Sequence, residues 1–162
     1  MSAQKPTVFL LVGITGSGKT TYAQELERRG TWRLSVDEEV HRLHGRYGVD
    51  YHESEYFEKE RPVVEEVYRQ LAGLVAAGHD VVLDYGLWLR SAREAAKKLV
   101  EEAGGRWRLI YFKVGRDELL RRLAARNARG DANALLVTES ALADFFDRFE
   151  EPAGEGEDIV TP

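Results

Sequence analysis

A glycine-rich segment that ends in a lysine and a threonine is the first part of this sequence able to do chemistry. Residues 13–20 read Gly-Ile-Thr-Gly-Ser-Gly-Lys-Thr and match the pattern G-x-x-x-x-G-K-[ST] at every fixed position. Glycines let the backbone N–H groups point inward, and the N-terminus of a following helix adds positive potential, so this order of residues favours phosphate binding. A glycine-rich turn that binds nothing is the alternative, but such a turn has no reason to carry Gly-Lys-Thr.

Within this loop the side chains predict a division of roles. Lys19 would reach the β- and γ-phosphates of a nucleotide, and the Thr20 hydroxyl would ligate Mg²⁺. The expected nucleotide-binding residues of the loop are Gly13, Thr15, Gly16, Ser17, Gly18, Lys19 and Thr20.

Two aspartates follow apolar segments farther along the chain. Asp37 closes the segment 32–36, and Asp84 ends the run Val-Val-Leu-Asp. Asp37 could take the proton of an acceptor hydroxyl, or it could be the N-cap of the next helix. Asp84 could hold Mg²⁺ or orient the acceptor, or it could only open the following turn.

Several arginines share one predicted helix that runs into a polar segment. Arg122 and Arg126 are four residues apart, so they share a helix face, and Arg129 continues that face. We expect residues 127–138 to form a lid in which Arg122 and Arg126 bind ATP and Arg126 stabilises the transferring group. The alternative is a solvated basic face.

The region 40–61 is rich in aromatic and imidazole groups. Because it follows Asp37, it should cover the acceptor side of the site, although helix packing is the simpler interpretation for each residue. Tyr51 and, after the Tyr-Gly-Leu-Trp turn, Arg90 are candidate substrate contacts, together with Asp37 and Asp84. Arg93 is another candidate contact to acceptor or phosphate, and the alternative for Arg90 and Arg93 is that both are surface residues at a helix start. A histidine metal site in this region is disfavoured, because the spacing is common by chance.

The strands and helices of the predicted fold determine where these candidate residues lie. Apolar strand-like segments alternate with segments of helical periodicity, which predicts an α/β three-layer sandwich with a parallel sheet of four to five strands. The predicted strands are 7–12, 32–36, 80–84 and 107–114, and the predicted helices are 20–28, 62–77, 90–102, 117–128 and 138–149. Ligands bind at the carboxyl ends of such strands, so the loop, Asp37 and Asp84 should converge. We expect one domain over 1–162, with a core at 7–150 and an acidic tail at 150–162.

Composition narrows the class of protein. The chain has 162 residues, 23 Lys and Arg against 28 Asp and Glu, a formal charge of −5, 43% hydrophobic residues and no cysteine. Disulfides, thiolate zinc sites and cysteine nucleophiles are therefore excluded. The apolar runs are too short to span a membrane, and the N-terminus does not resemble a signal peptide, so we expect a cytoplasmic protein. The net negative charge disfavours, without excluding, a nucleic-acid partner.

Taken together, the motifs resemble a known family. The loop 13–20, Ser35-x-Asp37, the strand end at Asp84 and the pair Arg122-x-x-x-Arg126 resemble the small P-loop kinases grouped with polynucleotide kinase, zeta toxins and chloramphenicol phosphotransferase. The resemblance covers about residues 7–150. It implies a P-loop NTPase or nucleoside-kinase-like fold, ATP binding by Lys19 and Thr20, a general base at Asp37, and phosphate contacts from the two arginines.

One departure from that family bears on the acceptor. Polynucleotide kinases have an arginine three residues after the base, where this chain has Val40, and Arg42 falls on another helix face. The expected function is therefore an ATP- and Mg²⁺-dependent kinase acting on a hydroxyl of a small molecule, with GTP not excluded as donor. A polynucleotide 5′-hydroxyl or nucleotide-sugar kinase is the alternative, and a regulatory NTPase switch is the alternative of another class. The acceptor's identity and the oligomeric state stay open.

Overall fold

The computed structural model describes residues 4–14, 16–128 and 139–161, without the side chains of residues 126 and 127. Five parallel strands form one sheet in the order β2-β3-β1-β4-β5. The strands are β1 Thr7–Val12, β2 Trp32–Ser35, β3 Val81–Asp84, β4 Arg106–Phe112 and β5 Glu157–Val160. The helices are α1 Lys19–Arg28, α2 Val36–His44, α3 Tyr56–Ala76, α4 Arg90–Glu102, α5 Arg116–Asn127 and α6 Glu139–Arg148, with a short 3₁₀ turn at Glu53–Glu55.

The central strand is apolar on both faces, which explains its place in the middle of the sheet. Leu10 of β1 is in register with Leu83 of β3 and with Leu109 of β4, and all three are fully buried. One face of the sheet packs against α1 through a cluster that includes Leu11 and Ala23. The opposite face carries the larger core, which draws on α2 to α6. The predicted three-layer α/β sandwich with a parallel sheet is confirmed.

Helix α3 begins earlier than the sequence predicts. The helical spacing of its apolar residues predicts a start at Pro62, yet the helix spans Tyr56–Ala76 with Pro62 inside it. Tyr56 and Glu60 are buried and continue the spacing of the apolar face through the proline. Packing of this extra turn against the core therefore outweighs the local signal of Pro62.

The acidic segment after residue 150, in which we predicted no strand, contains β5. Glu157 pairs with Leu109 and Val160 with Phe112 along the edge of β4. Just before the strand, Glu155 forms a buried ion pair with Arg93 at 2.7 Å, and its carbonyl accepts a hydrogen bond from Lys97. Two cations on α4 thus hold this segment against the fold, a long-range pairing that composition does not reveal.

Among the helices of residues 4–14, 16–128 and 139–161, none is long and apolar enough to cross a membrane.

Candidate active site

The glycine-rich loop joins β1 to α1, as the sequence predicts. Gly16 and Gly18 have φ values of +87° and +107°, a region of backbone space that favours glycine, and Gly18 is the N-cap of α1. Lys19 is 7% exposed, and its ammonium donates a hydrogen bond to the Ile14 carbonyl at 3.3 Å. The loop therefore presents a helix N-terminus and a lysine at the carboxyl edge of the sheet.

Two features of the loop suit a phosphate ligand. The Ser17 hydroxyl is buried and has no hydrogen-bond partner within the described part of the chain. Gly13 lies against it, because a Cβ at that position would stand 2.5 Å from the Ser17 oxygen. The Gly13 N–H donates to the Gly86 carbonyl at 3.1 Å, which ties the loop to the end of β3. Thr15, a predicted nucleotide contact, lies outside the described residues.

Thr20 and Asp84 meet at the predicted metal position. The Thr20 hydroxyl donates to Asp84 Oδ2 at 3.0 Å, and Asp84 is 3% exposed at the end of β3. This pair could hold Mg²⁺, which commonly takes one or two protein oxygens and completes its shell with water and nucleotide phosphate. In the described ranges, no group of three or more His, Cys, Asp or Glu residues could hold a metal. A Mg²⁺ ion here would therefore depend on the nucleotide for further ligands.

Arg33 is a residue of this site that sequence reasoning missed. Its guanidinium lies 3.1 Å from Asp84 and 2.8 Å from Glu38, and its side chain is almost fully buried. Burial by itself lowers the pKa of Arg33, but the Glu38 and Asp84 carboxylates raise that pKa above its ordinary value. Arg33 stays charged and orients Asp84. Successive side chains of a strand point to opposite faces, so the position of Arg33 in β2 could have indicated a charged side chain that faces inward near the end of the strand.

Asp37 lies in the first turn of α2, two residues beyond the end of β2. The helix is capped by Ser35, whose hydroxyl accepts a hydrogen bond from the Glu38 N–H at 3.2 Å. The alternative role of Asp37 as the N-cap is therefore wrong. Its carboxylate instead accepts a short hydrogen bond from the Tyr56 hydroxyl at the start of α3.

Lys19 and Asp37 line the same cavity. Its volume is about 290 Å³. Its lining includes Gly13 and Lys19 of the loop, Gly86, and aromatic residues of the region after α2 and of α3, with Trp88 and Phe145. Tyr47, Tyr56 and Phe57, which belong to the aromatic region after Asp37, line this cavity.

Glu60 is a second carboxylate in the cavity, and sequence reasoning did not find it. It is 7% exposed and accepts a hydrogen bond from the Tyr85 hydroxyl at 2.7 Å. Burial and, more weakly, the Asp37 charge raise the pKa of Glu60 to about 7, although hydrogen bonds from Tyr85 and Tyr56 oppose the shift. Glu60 lies two residues before the predicted start of α3 and one turn inside the observed helix, so its position gave no sequence signal.

The candidate substrate contacts differ in their placement. Tyr51 is half-buried and is not among the residues that line the cavity, and its pKa is raised to about 12 by burial first and then by the charges of Asp37 and Glu60. Arg90 is exposed at the start of α4, where its backbone N–H donates to Glu150 at 2.9 Å, and it does not line the cavity.

Arg93 is fully buried and belongs to the framework. Besides its ion pair with Glu155, it donates to the carbonyls of Leu87 and Trp88 at 2.9 and 3.0 Å. The prediction that Arg93 could contact acceptor or phosphate is wrong, because all of these bonds tie α4 to the turn after β3 and to the segment before β5.

Arg122 reaches the loop from α5. Its guanidinium donates to the Gly16 carbonyl at 3.1 Å and to Glu118 at 2.9 Å. This is the one lid arginine whose side chain the structure describes. The Arg126 side chain, Arg129 and nearly all of the predicted lid 127–138 lie outside the described residues.

Known proteins share this architecture. A Chloroflexus aurantiacus protein provisionally identified as a kinase superposes with a TM-score of 0.72 at 18% identity, covering 99% of this chain and 86% of that one. A chain of the Pnkp1/Rnl/Hen1 RNA repair complex gives a TM-score of 0.71 at 22% identity, and the match covers 91% of this chain but 45% of that one. The Mycobacterium tuberculosis APS kinase CysC, solved with AMPPNP and APS, gives 0.66 at 18% identity, covering 99% of this chain and 90% of that one.

These similarities identify the fold as that of P-loop kinases, which confirms the resemblance drawn from the motifs. A search of curated proteins found no relative of this chain. The family described as AAA domain, AAA_33, matches residues 8–152, which includes the loop, both strand-end aspartates and the arginines of α5. With nearly the whole fold inside that match, the chain belongs to the AAA_33 family of P-loop kinase-like domains.

Proposed function

We propose that this protein is a kinase that transfers the γ-phosphate of ATP, with Mg²⁺, to a hydroxyl group of a small molecule. The observation that carries the proposal is the presence of Lys19 and Asp37 on the walls of one cavity. A phosphate-binding lysine and a carboxylate able to take a proton thus serve a single space, as phosphoryl transfer to an alcohol requires. A regulatory switch that only hydrolyses nucleotide has no need of a cavity for an acceptor beside the phosphate-binding loop.

In the proposed reaction the acceptor oxygen attacks the γ-phosphorus. The bond from that phosphorus to the β,γ-bridging oxygen breaks, ADP leaves, and the hydroxyl proton passes to Asp37 and then to solvent. Tyr56 donates its hydrogen bond to Asp37 and so holds the carboxylate in place. Lys19 and Arg122 offset the negative charge of the phosphates. Mg²⁺ would neutralise phosphate oxygens, and Thr20 and Asp84 are the residues that would hold it, directly or through water.

A small acceptor fits this cavity better than a nucleic acid does. Val40 stands where polynucleotide kinases have an arginine, and it is 1% exposed within the core. Arg42 is exposed and pairs with Glu39 at 2.8 Å, so it is engaged on the surface of α2. The two carboxylates Asp37 and Glu60 would repel a polyanion.

The test is a mass-spectrometric search for phosphorylated product. The protein is incubated with ATP, Mg²⁺ and pooled hydroxylated small molecules, alongside Asp37→Asn and the matched control Glu39→Gln, which changes a partly exposed acid on the same helix. We expect product with the wild type and the control, and a loss of about 10²- to 10⁴-fold in Asp37→Asn with ATP affinity retained. Near wild-type turnover in Asp37→Asn would contradict the assignment of the base.

Two further results would redirect the function. ATP hydrolysis that saturates without any acceptor and leaves no phosphorylated product would favour the regulatory switch. A 5′-phosphorylated oligonucleotide from an added RNA or DNA pool would favour a nucleic-acid kinase.

A further inference from the structure

Five aromatic side chains form a closed circuit of ring contacts along the wall of the acceptor cavity. They are Tyr47, Tyr56, Phe57, Trp88 and Phe145. In that order the ring centroids of neighbours are 5.3, 5.6, 5.9 and 4.8 Å apart, and Phe145 returns to Tyr47 at 6.4 Å. These rings come from four separate parts of the chain, so their contacts are not those of a single packed helix face.

Within the described residues, a buried carboxylate lies beside these rings without a salt bridge. Glu60 lines the same cavity, and within the described part of the chain it forms no salt bridge. The Tyr85 hydroxyl donates a hydrogen bond to it at 2.7 Å. A buried carboxylate without a countercharge is costly, and the raised pKa of Glu60, about 7, reflects that cost. A cation carried by the ligand would pair with Glu60 and offset this cost.

The basic residues that line the cavity have other roles. Lys19 belongs to the phosphate-binding loop, and Arg148 is half-exposed and pairs with Asp144 at 2.9 Å. The Arg148 guanidinium lies 4.9 Å from the centroid of the Phe57 ring, so one ring of this aromatic wall already contacts a cation. Neither residue forms a salt bridge with Glu60.

We propose that the acceptor is a hydroxylated amine, whose ammonium group lies among the five rings and pairs with Glu60 while its hydroxyl reaches Asp37. The inference rests on the proposed function and names the substrate class of that site. Aromatic faces attract ammonium groups because of the negative charge of their π-systems, and the attraction grows when water is excluded. An acceptor with a phosphate or carboxylate in this position would instead meet two negative side chains.

The pH dependence of ligand affinity provides a second test of the proposal. A bound ammonium favours the ionised form of Glu60, so affinity for a permanent cation should rise with pH through about 7. The titratable groups that face Glu60 are Asp37 of α2, Tyr56 and Tyr68 of α3, Tyr85 after β3 and Tyr51. Burial raises the pKa values of these four tyrosines above their ordinary value, so they do not titrate in this window.

The test uses two probes that differ in one atom. Choline and 3,3-dimethylbutan-1-ol have nearly the same shape and the same hydroxyl, but the second has carbon in place of the charged nitrogen. Titration calorimetry on the full chain with an ATP analogue bound should give choline about a 10-fold advantage at pH 8 and a smaller one at pH 6. Glu60→Gln should remove both the advantage and its pH dependence, and Glu58→Gln, which changes an exposed acid on the same helix, should retain them.

A second variant protects the test if Glu60→Gln does not fold. Phe57→Leu keeps an apolar side chain but removes a ring, so it should weaken choline binding and leave the neutral alcohol nearly unaffected. Equal affinity for the two probes, or no binding of either while the ATP analogue binds, would overturn the amine assignment.

The two proposals fail in different ways. If the mass-spectrometric search finds phosphorylated products among amine-free acceptors only, the kinase stands and the amine assignment falls. If choline is preferred but no acceptor is phosphorylated, the cation site stands and the kinase assignment falls.

Discussion

The Thr20 hydroxyl donates a 3.0 Å hydrogen bond to Asp84, and this bond joins the first turn of α1 to the end of β3. The two residues are 64 positions apart in the chain. They meet because β1 and β3 are parallel neighbours in the sheet, so the loop after one strand lies beside the end of the other. Arg33 contacts the same Asp84 oxygen at 3.1 Å and helps to orient the carboxylate.

Thr20→Val should raise the Mg²⁺ concentration needed for ATP-analogue binding by about 10- to 100-fold, because it removes the hydroxyl and keeps the shape. Fluorescence titration of an ATP analogue at a series of Mg²⁺ concentrations measures this without an acceptor. Thr20→Ser should restore the wild-type dependence. Thr21→Val, at the exposed neighbouring threonine, is the matched control. An unchanged Mg²⁺ dependence in Thr20→Val would remove Thr20 from the metal site.

Arg122→Gln should weaken ATP binding by about 10-fold or more, because it removes a charged donor from the Gly16 carbonyl and from the phosphate side of the loop. Arg121→Gln provides the control, since its side chain is 78% exposed on the same helix. The measurement is the dissociation constant of an ATP analogue for both variants. Equal losses in the two would mean that a general reduction of positive charge, and not the contact to the loop, lowers the affinity.

Glu60 should make stability fall as the pH rises. Its pKa is about 7 in the folded protein against an ordinary 4.5, so between these values the unfolded chain releases the proton while the folded chain keeps it. The free energy of unfolding therefore decreases across this window, and by pH 8 ionised Glu60 costs up to ~3 kcal/mol.

Glu60→Gln removes this titration. The difference in unfolding free energy between Glu60→Gln and the wild type should rise by up to ~3 kcal/mol from pH 4.5 to pH 8, as measured by urea denaturation at each pH. Glu58→Gln should show no such slope. A constant difference for Glu60→Gln would mean that Glu60 titrates near its ordinary pKa.

Arg93→Met should destabilise the fold by about 3–5 kcal/mol, because it leaves Glu155 buried without its partner. The exposed pair Arg108–Asp158 provides a control on the same edge of the sheet, and Arg108→Met should lose little stability. Thermal or urea unfolding of both variants measures the contrast. Similar losses would show that the segment before β5 is held by its strand pairing instead of the buried ion pair.

Sequence patterns determined the local parts of this protein. The loop at 13–20 is contiguous, and its glycines, lysine and threonine specify a turn, a helix start and a phosphate site within eight residues. The runs that became β1 and β3 are apolar on both faces, so their central place in a parallel sheet could be predicted, and with it the convergence of Thr20 and Asp84. The predicted position of Asp37 at the edge of the cavity follows from the same rule.

Only the tertiary structure decided which groups are buried together across long distances in the chain. Glu60 contacts Tyr85, Arg33 contacts Asp84 and Arg93 contacts Glu155, pairs separated by 25, 51 and 62 residues. In the sequence none of these charged side chains stands out. Each acquires its structural role only when folding removes it from water and brings it against one particular partner. For the same reason, the sequence did not reveal β5 in its acidic segment or the contacts among the five rings. Burial and pairing between residues far apart in the chain are properties of the folded chain and not of any local pattern.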